Sequence, residues 1–345
     1  MAILNNAWFP AEVPPKPNGH YAHIVMLRIT ESYALFQTDG ELNTARVRSG
    51  VAHPDLMTRI EIFKRKQTTP ERLTGRELLR RYGFLSDQPS TNPRVTVDDQ
   101  KRPICDYNVR FCRGCPDCIT YGFAIGDAGS EKSKIIADTA FSLTDYAHSH
   151  ETRTLNAPYE DGTMSRQGVP TSRINEQDHV RPGVIFPAII TAHDLSSNLF
   201  RYVLNNVIRT RHYGAQTTRT GTMRNHLIGV VLSDGEIFSN LKFTQRLFDV
   251  LTDQGSITPP DPVDLSRAIS AAREVLPELL REDGVRIDQL VTGPDIDQLL
   301  AELRPDNGEQ ARELLDGAFQ DSQAYYKRWI EKARPATRGR ATGGA

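Results

Sequence analysis

The sequence predicts an α+β protein built on a sheet with helices on one of its sides. Three apolar segments rich in β-branched residues are typical of buried strands: YAHIVMLRI from Tyr21, VIFPAIITA from Val184 and HLIGVVL from His226. Loops and an amphipathic helix separate these segments, and beyond Leu241 the pattern becomes helical. Strands and helices dispersed in this way favour the α+β class.

The remaining elements of the first two thirds follow from local patterns. YALFQT and TRIEIFKRK are typical of strands. A helix is expected over TPERLTGRELLRRYGFL, with Thr74 and Glu77 as a capping box and Gly83 at its end. A second helix, LSSNLFRYVLNNVIRTRHYG, has one apolar face, and we expect Asp194 to cap it and Gly214 to end it.

The 345 residues have the composition of an ordinary globular protein, with 38% hydrophobic and 25% charged residues. Because apolar runs of about eighteen residues are absent, no membrane span is expected. The first residues, MAILNNAWFPAEVPPKPNGHYAH, lack the basic and apolar parts of a signal peptide. We therefore expect a soluble cytoplasmic protein.

The net charge of −1 conceals an uneven distribution. Between Asp249 and Asp321 there are 17 acidic and 6 basic residues, so the rest of the chain carries +10. A basic body beside an acidic C-terminal region indicates either nucleic-acid binding or assembly through alternating surfaces. The alternative is two solvated parts with different surface chemistry.

All four cysteines lie within the segment CDYNVRFCRGCPDC, as Cys105, Cys112, Cys115 and Cys118. A C-x-x-C turn places two thiolates on one metal ion, and the third and fourth cysteines are within reach of it. We predict a structural zinc site that cross-links a loop region poor in apolar residues. Metal-binding energy contributes directly to folding in such a region.

Other uses of the cysteines remain open at this point. C-x-x-C-x-x-C also begins a bacterial ferredoxin motif, but the expected cysteine followed by proline is missing after Cys118. A redox-active pair would need a surrounding βαβ pattern, which the sequence lacks. His148 or His150 could replace one cysteine as a ligand.

A stretch of 39 residues from Leu195 to Ser233 contains five arginines and no acidic residue. Its loop HYGAQTTRTGTMRNH combines guanidinium groups, threonine hydroxyls and backbone amides, which together suit a phosphodiester backbone. Tyr213 or His212 could stack on a base. The alternative is that the arginines pair with the acidic C-terminal helices.

Three further segments contribute weaker candidates for nucleic-acid contacts. AIGDAGSEKSK is Gly-rich and contributes Lys132 and Lys134, although it is no Walker motif. The long turn-rich segment YEDGTMSRQGVPTSRINEQDHV contributes Arg166 and Arg173. Arg46 lies near the first strands.

No enzyme class is predicted. The sequence has no G-x-S-x-G, H-E-x-x-H or paired-carboxylate signature. A ribonuclease would have to use Asp39 or the pair His148 and His150, which lie in polar segments where such residues are more often bystanders.

Four stretches together resemble a known family: GRELLRRYGFL, FCRGCPDCITYGFAIGDAGSEKSK, INEQDHV and RYVLNNVIRTRHYGAQTTRTG. They resemble the Csc2 family of type I-D CRISPR backbone subunits, in the Cas7 branch of the RAMP superfamily, over roughly Tyr21 to Leu232. The resemblance implies a modified RRM-like (ferredoxin-like) core with inserted zinc-binding and thumb-like segments and a C-terminal helical region. It also implies copies that stack along a guide RNA without cutting it.

The resemblance divides the chain as follows. Residues 20–240 would form the core, 94–150 the zinc-binding insertion, 151–182 the thumb-like insertion, 241–333 the acidic helical region and 334–345 a disordered tail. The four cysteines would hold the zinc. The predicted RNA contacts are Lys132, Lys134, Arg166, Arg173, Arg209, Arg211, Tyr213, Gln216, Thr217, Thr218, Arg219, Arg224 and Arg46.

The expected partners are the guide RNA (crRNA), a target DNA or RNA read through the guide, copies of the chain in a helical filament, and the large, small and foot or cap subunits of the complex. A ribonuclease of the same superfamily is the alternative. A zinc-containing DNA-binding regulator is disfavoured because the sequence has no helix-turn-helix or finger pattern.

Overall fold

A computed structural model gives the structure of the chain. It describes residues 3–36, 41–89, 92, 95–125, 129–155, 159–160, 165–166, 169–170, 175–305 and 307–331. Asp39, Arg173 and the tail 334–345 lie outside these residues. None of the helices within the described part has the length and apolar character needed to cross a membrane.

The described part of the chain contains fourteen β-strands and eight α-helices. The strands are β1 (Tyr21–Thr30), β2 (Thr44–Arg48), β3 (Leu56–Ile62), β4 (Phe123–Ala124), β5 (Ser130–Glu131), β6 (Ile135–Ala137), β7 (Ala140–Phe141), β8 (His150–Leu155), β9 (Ser165–Arg166), β10 (Val169–Pro170), β11 (Asn175–Val180), β12 (Ile185–His193), β13 (Met223–Ser233) and β14 (Ile287–Thr292). The helices are α1 (Lys64–Arg81), α2 (Pro116–Tyr121), α3 (Tyr146–Ser149), α4 (Ser197–Arg209), α5 (Asn240–Asp253), α6 (Leu265–Glu282), α7 (Pro294–Leu303) and α8 (Gly308–Tyr325). A short 3-10 helix covers Asn6–Trp8, and a π-helical turn, Tyr326–Glu331, continues α8.

The central sheet has five antiparallel strands in the order β14-β13-β1-β12-β6. Tyr21 of β1 lies opposite both His193 and Ser233, which fixes the register of the three longest strands. The succession β1, α1, β6, β12, α4 and β13 is a β-α-β-β-α-β unit in which the fourth strand lies beside the first. Strand β14 extends the sheet beyond this unit.

Helices cover both faces of this sheet, so the prediction of helices on one side is wrong. Ile24 and Met26 of β1 face a core formed with α1, α4 and α8, whereas Val25 and Leu27 face a second core formed with α5 and α6. A strand that is buried on both faces carries a nearly continuous apolar run. The unbroken IVML of β1 was that signal.

Both predicted helix starts also need correction. Helix α1 begins at Lys64, about ten residues before the expected capping box, and Thr74 lies inside it. Helix α4 is capped by Ser196, whose hydroxyl accepts a hydrogen bond from the amide of Leu199. The Asp194 carboxylate instead accepts hydrogen bonds from backbone amides of the N-terminal segment.

The C-terminal region packs directly on the core. Its secondary structure consists of helices apart from β14, which pairs with β13. Helix α8 packs along α4, and the N-terminal segment reaches the same region because the amide of Asn5 donates to the side chain of Gln289. The range 94–150 holds the cysteine segment, but it also contains β6 of the central sheet.

Strands β8 and β11 form an antiparallel pair within the range assigned to the thumb-like insertion. His150 lies opposite Val180 and Thr154 opposite Glu176. The short pair β9 and β10 falls between them in the chain. We call the β8–β11 pair the hairpin stem.

Candidate metal centre and nucleic-acid interface

The four cysteines meet at one point in the structure. Their sulfur atoms all lie within 4.8 Å of one another, and no histidine joins this group among the described residues. The Cys105 sulfur is 3.9 Å from that of Cys115 and 3.7 Å from that of Cys118. All four are free thiols rather than disulfides.

These separations fit four thiolates on a single ion. A zinc–sulfur bond of about 2.3 Å gives a tetrahedron whose sulfurs are about 3.8 Å apart. A cluster with several irons would spread its cysteines over different metal atoms and hold the sulfurs farther apart. The four sulfurs are therefore placed so that they could bind one metal ion.

A buried arginine faces this cluster from α1. The Arg76 guanidinium lies 3.4 Å from the Cys105 sulfur, donates to the Cys105 carbonyl and forms an ion pair of 2.7 Å with Asp117. Asp117 also accepts two hydrogen bonds, of 2.9 and 2.8 Å, from Arg72. Two arginines therefore face one carboxylate, and the thiolate cluster supplies the remaining negative charge that this buried group needs.

Burial and neighbouring groups shift the pKa values of Arg76 and of the buried cysteines. Although burial alone lowers the pKa of Arg76, Asp117 and the cysteines raise it overall, so the guanidinium stays protonated. Contacts with the other three thiols lower the pKa of Cys105 well below its ordinary value, whereas burial raises the pKa of Cys115 and Cys118 well above theirs. The backbone amide of Cys112 also points to the Cys105 sulfur, at 3.3 Å.

The cysteine turn is also fixed to the C-terminal helix. The Gly114 carbonyl accepts hydrogen bonds from the side chains of Ser322 (2.9 Å) and Gln323 (2.8 Å) of α8. His150, which was an alternative metal ligand in the sequence analysis, instead stacks on the Tyr146 ring, and its Nδ1 forms a hydrogen bond with the Tyr146 carbonyl. The metal centre thus joins α1, α2 and α8.

The second candidate site is the loop that connects α4 to β13, together with the first two residues of β13; we call it the arginine loop (residues 210–224). It rests on the segment that follows β1: the Gly221 amide donates to the Tyr33 carbonyl, and the Leu35 amide donates to the Thr220 hydroxyl. Gly214 has a φ of +94°, and a Cβ there would lie 2.5 Å from the Leu35 carbonyl. The loop is therefore held closely from beneath.

Its outer side presents five of the thirteen predicted RNA contacts. Thr217, Thr218 and Arg219 are exposed. Arg224 and Arg211 are also exposed, but both face Glu31. The Arg224 Nε lies 2.7 Å from that carboxylate and the Arg211 guanidinium 3.9 Å from it.

Tyr213 does not belong to this surface, and its assignment as an RNA contact is wrong. The ring is fully buried, and its hydroxyl lies 2.7 Å from both Arg28 and Asn225 and 3.2 Å from Glu71. A buried hydroxyl of this kind finds polar partners inside the protein. The aromatic residue next to it, His212, is exposed.

The structure adds residues of the hairpin stem that the sequence analysis missed. The Arg153 guanidinium lies over the Tyr33 ring at 3.8 Å, and the Tyr33 hydroxyl donates to Glu151 at 3.0 Å. Arg181 lies 3.7 Å from the same carboxylate. The complementary charges of HETRTL and NEQDHV were the available signal, because paired strands bring such residues together.

The other predicted contacts lie apart from the arginine loop or on its border. Lys134 is 2.6 Å from Glu131 and lies over Tyr325, so it supports α8. Lys132 and Arg46 are exposed on other segments, Gln216 is half-buried in the loop, and Arg209 bonds to Asn205. Arg166 lies in β9 and Arg173 lies outside the described residues.

The sequence was compared with protein families and solved structures. The family model Csc2, described as Csc2 Crispr, matches residues 8–314. The crystal structure of Thermofilum pendens Csc2 is similar with a TM-score of 0.56 and 15% identity, over 96% of this chain and 94% of that chain. At that identity the likeness concerns the fold alone.

Two further solved structures match less closely. A chain of a CRISPR RNA-guided surveillance complex has a TM-score of 0.46 and 13% identity, over 87% of this chain and 98% of that one. A chain of such a complex in a pre-nicking state has a TM-score of 0.47 and 10% identity, over 88% and 100%. No curated protein matches the sequence.

Proposed function

The chain belongs to the Csc2 CRISPR family, and from that premise we propose that it is a non-catalytic backbone subunit that binds guide RNA in a type I-D Cascade complex. Several copies would polymerise along the crRNA in the cytoplasm and present it to target DNA or RNA. The observation that carries this proposal is the exposed arginine loop. Arg211 and Arg224 both face Glu31, and Arg219 is exposed in the same loop; guanidinium groups of this kind contact phosphates without reading bases, as binding to any guide sequence requires.

The hairpin stem extends this surface. Arg153 on the Tyr33 ring forms a flat cationic platform beside the arginine loop, since Tyr33 itself holds the loop at Gly221. Planar guanidinium and aromatic groups suit both phosphates and stacked bases. We assign the stem to the thumb-like insertion that reaches along the RNA toward the next copy.

The finer fold assignment rests on strand order and on the cysteine cluster. The β-α-β-β-α-β succession with its fourth strand beside the first supports an RRM-like (ferredoxin-like) core. The cysteine segment would be a structural zinc insertion. When bound, zinc would tie Cys105, Cys112, Cys115 and Cys118 together and neutralise their thiolates, while Arg76 compensates the remaining charge.

Charge reversal in the arginine loop tests the proposal. Arg219→Glu with Arg224→Glu removes two guanidinium groups from the surface and adds two carboxylates. We expect RNA affinity to fall by about a hundredfold and the salt dependence of binding to become shallower by about 1.4 in the log–log slope, from about 0.7 for each lost phosphate contact. Fluorescence anisotropy with an unstructured labelled RNA at several salt concentrations measures both.

The matched control reverses two exposed arginines of α6, Arg267→Glu with Arg273→Glu, on the opposite face of the sheet. It makes the same change in net charge and should leave affinity nearly unchanged. Unaltered binding by the Arg219 and Arg224 variant would place the RNA elsewhere. Cleavage of the RNA by the wild-type protein would favour the ribonuclease alternative.

A further inference from the structure

Buried polar side chains connect the cysteine cluster to the arginine loop through α1. The group comprises Arg76, Asp117, Tyr121, Tyr202, Asn206, Glu71, Arg28, Tyr213 and Asn225. Apart from Asn225, which is half-buried, all of these residues are buried. We call this group the polar spine. Its two ends are hydrogen-bonded, as Arg76–Asp117 and as Glu71–Arg28–Tyr213–Asn225, whereas the hydroxyls of Tyr121 and Tyr202 and the Asn206 amide between them have no hydrogen-bond partner among the described residues. So many polar side chains are unusual in a core, where apolar side chains normally fill the space between helices.

At the cysteine end, the spine begins with Arg76. Its guanidinium touches both the Cys105 sulfur and the Asp117 carboxylate. Neither Arg76 nor Asp117 has access to solvent. Their positions therefore depend on the sulfur atoms staying where the cluster puts them.

In the middle, α1 and α4 approach each other at a glycine. A Cβ at Gly75 would lie 2.3 Å from both the Asn206 side-chain nitrogen and the Tyr202 hydroxyl. Burial raises the pKa of Tyr121 well above its ordinary value. The nearby side chains of Glu71, Tyr202 and Asn206 also shift it. The absence of a side chain at Gly75 thus lets polar groups of three helices share one buried space.

At the loop end, three contacts join α1 to the arginine loop and its base. Glu71 pairs with Arg28 at 2.8 Å, and both reach the Tyr213 hydroxyl. The Thr210 hydroxyl donates to Thr74 at 3.1 Å. The Gly214 amide donates to the carbonyl of α1's first turn at Lys66, at 3.2 Å.

Because α1 contacts the cysteine cluster through Arg76 and the arginine loop through Glu71, Thr74 and Lys66, we propose that α1 and the polar spine position the arginine loop, so that loading of the cysteine cluster with metal strengthens RNA binding. This proposal rests on the proposed function, in which the cysteine cluster holds a metal ion and the arginine loop binds RNA. The spine is closely packed and shielded from water, so it does not tolerate small shifts: a displaced buried charge loses its partner. Coupling between two binding sites is reciprocal, so RNA should retain the metal as the metal supports RNA binding.

Tyr213 is the residue that exposes this coupling, because it touches neither metal nor solvent. Tyr213→Phe keeps the buried ring and removes the hydroxyl that Arg28, Asn225 and Glu71 share. The control is Tyr21→Phe at the opposite end of β1, where the ring stacks on His193. Each protein is measured zinc-loaded and chelator-stripped, with a labelled oligouridylate as the probe.

Stripping the wild-type protein and the Tyr21→Phe control should weaken RNA binding by about tenfold. Zinc-loaded Tyr213→Phe should bind RNA more weakly than the loaded wild type, although its metal content is complete. Removal of its zinc should then weaken RNA binding by less than about another twofold. An equal loss in wild type and Tyr213→Phe would overturn the proposal. So would a stripped wild-type protein that binds RNA as tightly as the loaded one.

A second measurement needs only the intact loaded protein, in case the stripped protein unfolds. The rate of zinc release to a chromophoric chelator should fall several-fold when RNA is bound, and RNA should have no such effect on Tyr213→Phe. Equal release rates with and without RNA would refute the coupling. If the loaded wild-type protein binds no RNA at all, the proposed function itself fails, which is a different result from RNA binding that ignores the metal.

Discussion

The cysteine cluster and the arginine loop are held in place in opposite ways. The cluster is buried, and its four side chains converge on one another, so that one metal ion would organise them. The arginine loop is exposed on its outer side, where Arg211 and Arg224 share Glu31 as a partner. It is held from beneath by Tyr213, Gly214 and Thr220, none of which is exposed.

This difference separates recognition from support. In the cluster, the residues that bind the ligand are also the residues that hold the structure. In the loop, the exposed arginines would contact RNA while buried neighbours fix their position. Mutations should therefore affect metal binding and folding together at the first site, but RNA binding and folding separately at the second.

The largest effect is expected from Cys112→Ser with Cys115→Ser. Loss of two thiolates should abolish metal binding and lower the free energy of unfolding by about 5 kcal/mol or more, because metal binding contributes to folding here. Elemental analysis of the purified protein and denaturant unfolding measure the two effects. Chelator treatment of wild type is the control and should lower stability similarly, whereas a stable, metal-free double variant would show that the cluster has no structural role.

The second effect concerns the support beneath the loop. Arg28→Met leaves Glu71 buried without its partner, and we expect about 3–5 kcal/mol of stability to be lost. Arg28→Met combined with Glu71→Leu removes both charges and should recover most of that loss. Denaturant unfolding of the single and double variants tests this, and metal content should stay unchanged in both. A double variant no more stable than Arg28→Met would mean that the pair does not act as a unit.

The smallest effect should have the opposite sign. Glu31→Gln removes the carboxylate that faces Arg224 and Arg211, and exposed ion pairs of this kind stabilise the fold only slightly. RNA affinity should rise by about threefold because both guanidinium groups become available to phosphate. Glu12→Gln, which breaks the exposed pair with Arg328, is the matched control. A lower affinity would show that Glu31 orients the arginines for binding rather than competing with RNA.

Local sequence patterns located the main strands and α4, because each carries its own apolar periodicity. They failed where neighbouring elements decide the structure. The charged residues Lys64 to Lys66 fit the end of an alternating strand as well as the start of α1. Contacts with distant residues fix the start of the helix; for example, the side-chain amide of Gln67 donates to the backbone carbonyl of Asp138. A local sequence pattern contains no information about such contacts.

The candidate site shows the same limit. The sequence predicted that the four cysteines come together, because residues within a segment of only fourteen cannot lie far apart in space. Tyr213 looked equally suited to RNA, yet its burial depends on Arg28 and Glu71, which lie far away in the sequence. Spatial neighbours, rather than residue type, decided which arginine-loop residues face outward.

The register of β1 has a consequence for synthesis on the ribosome. Its two neighbours, β12 and β13, begin about 155 and 193 residues after β1 ends. At translation rates of about 5–20 residues per second, the apolar strand emerges roughly 8–30 s before its first partner is complete. During that interval both edges of β1 are open to other chains, a hazard for a protein made in several copies at once. Slow completion of the sheet would thus favour capture of the nascent chain by a chaperone.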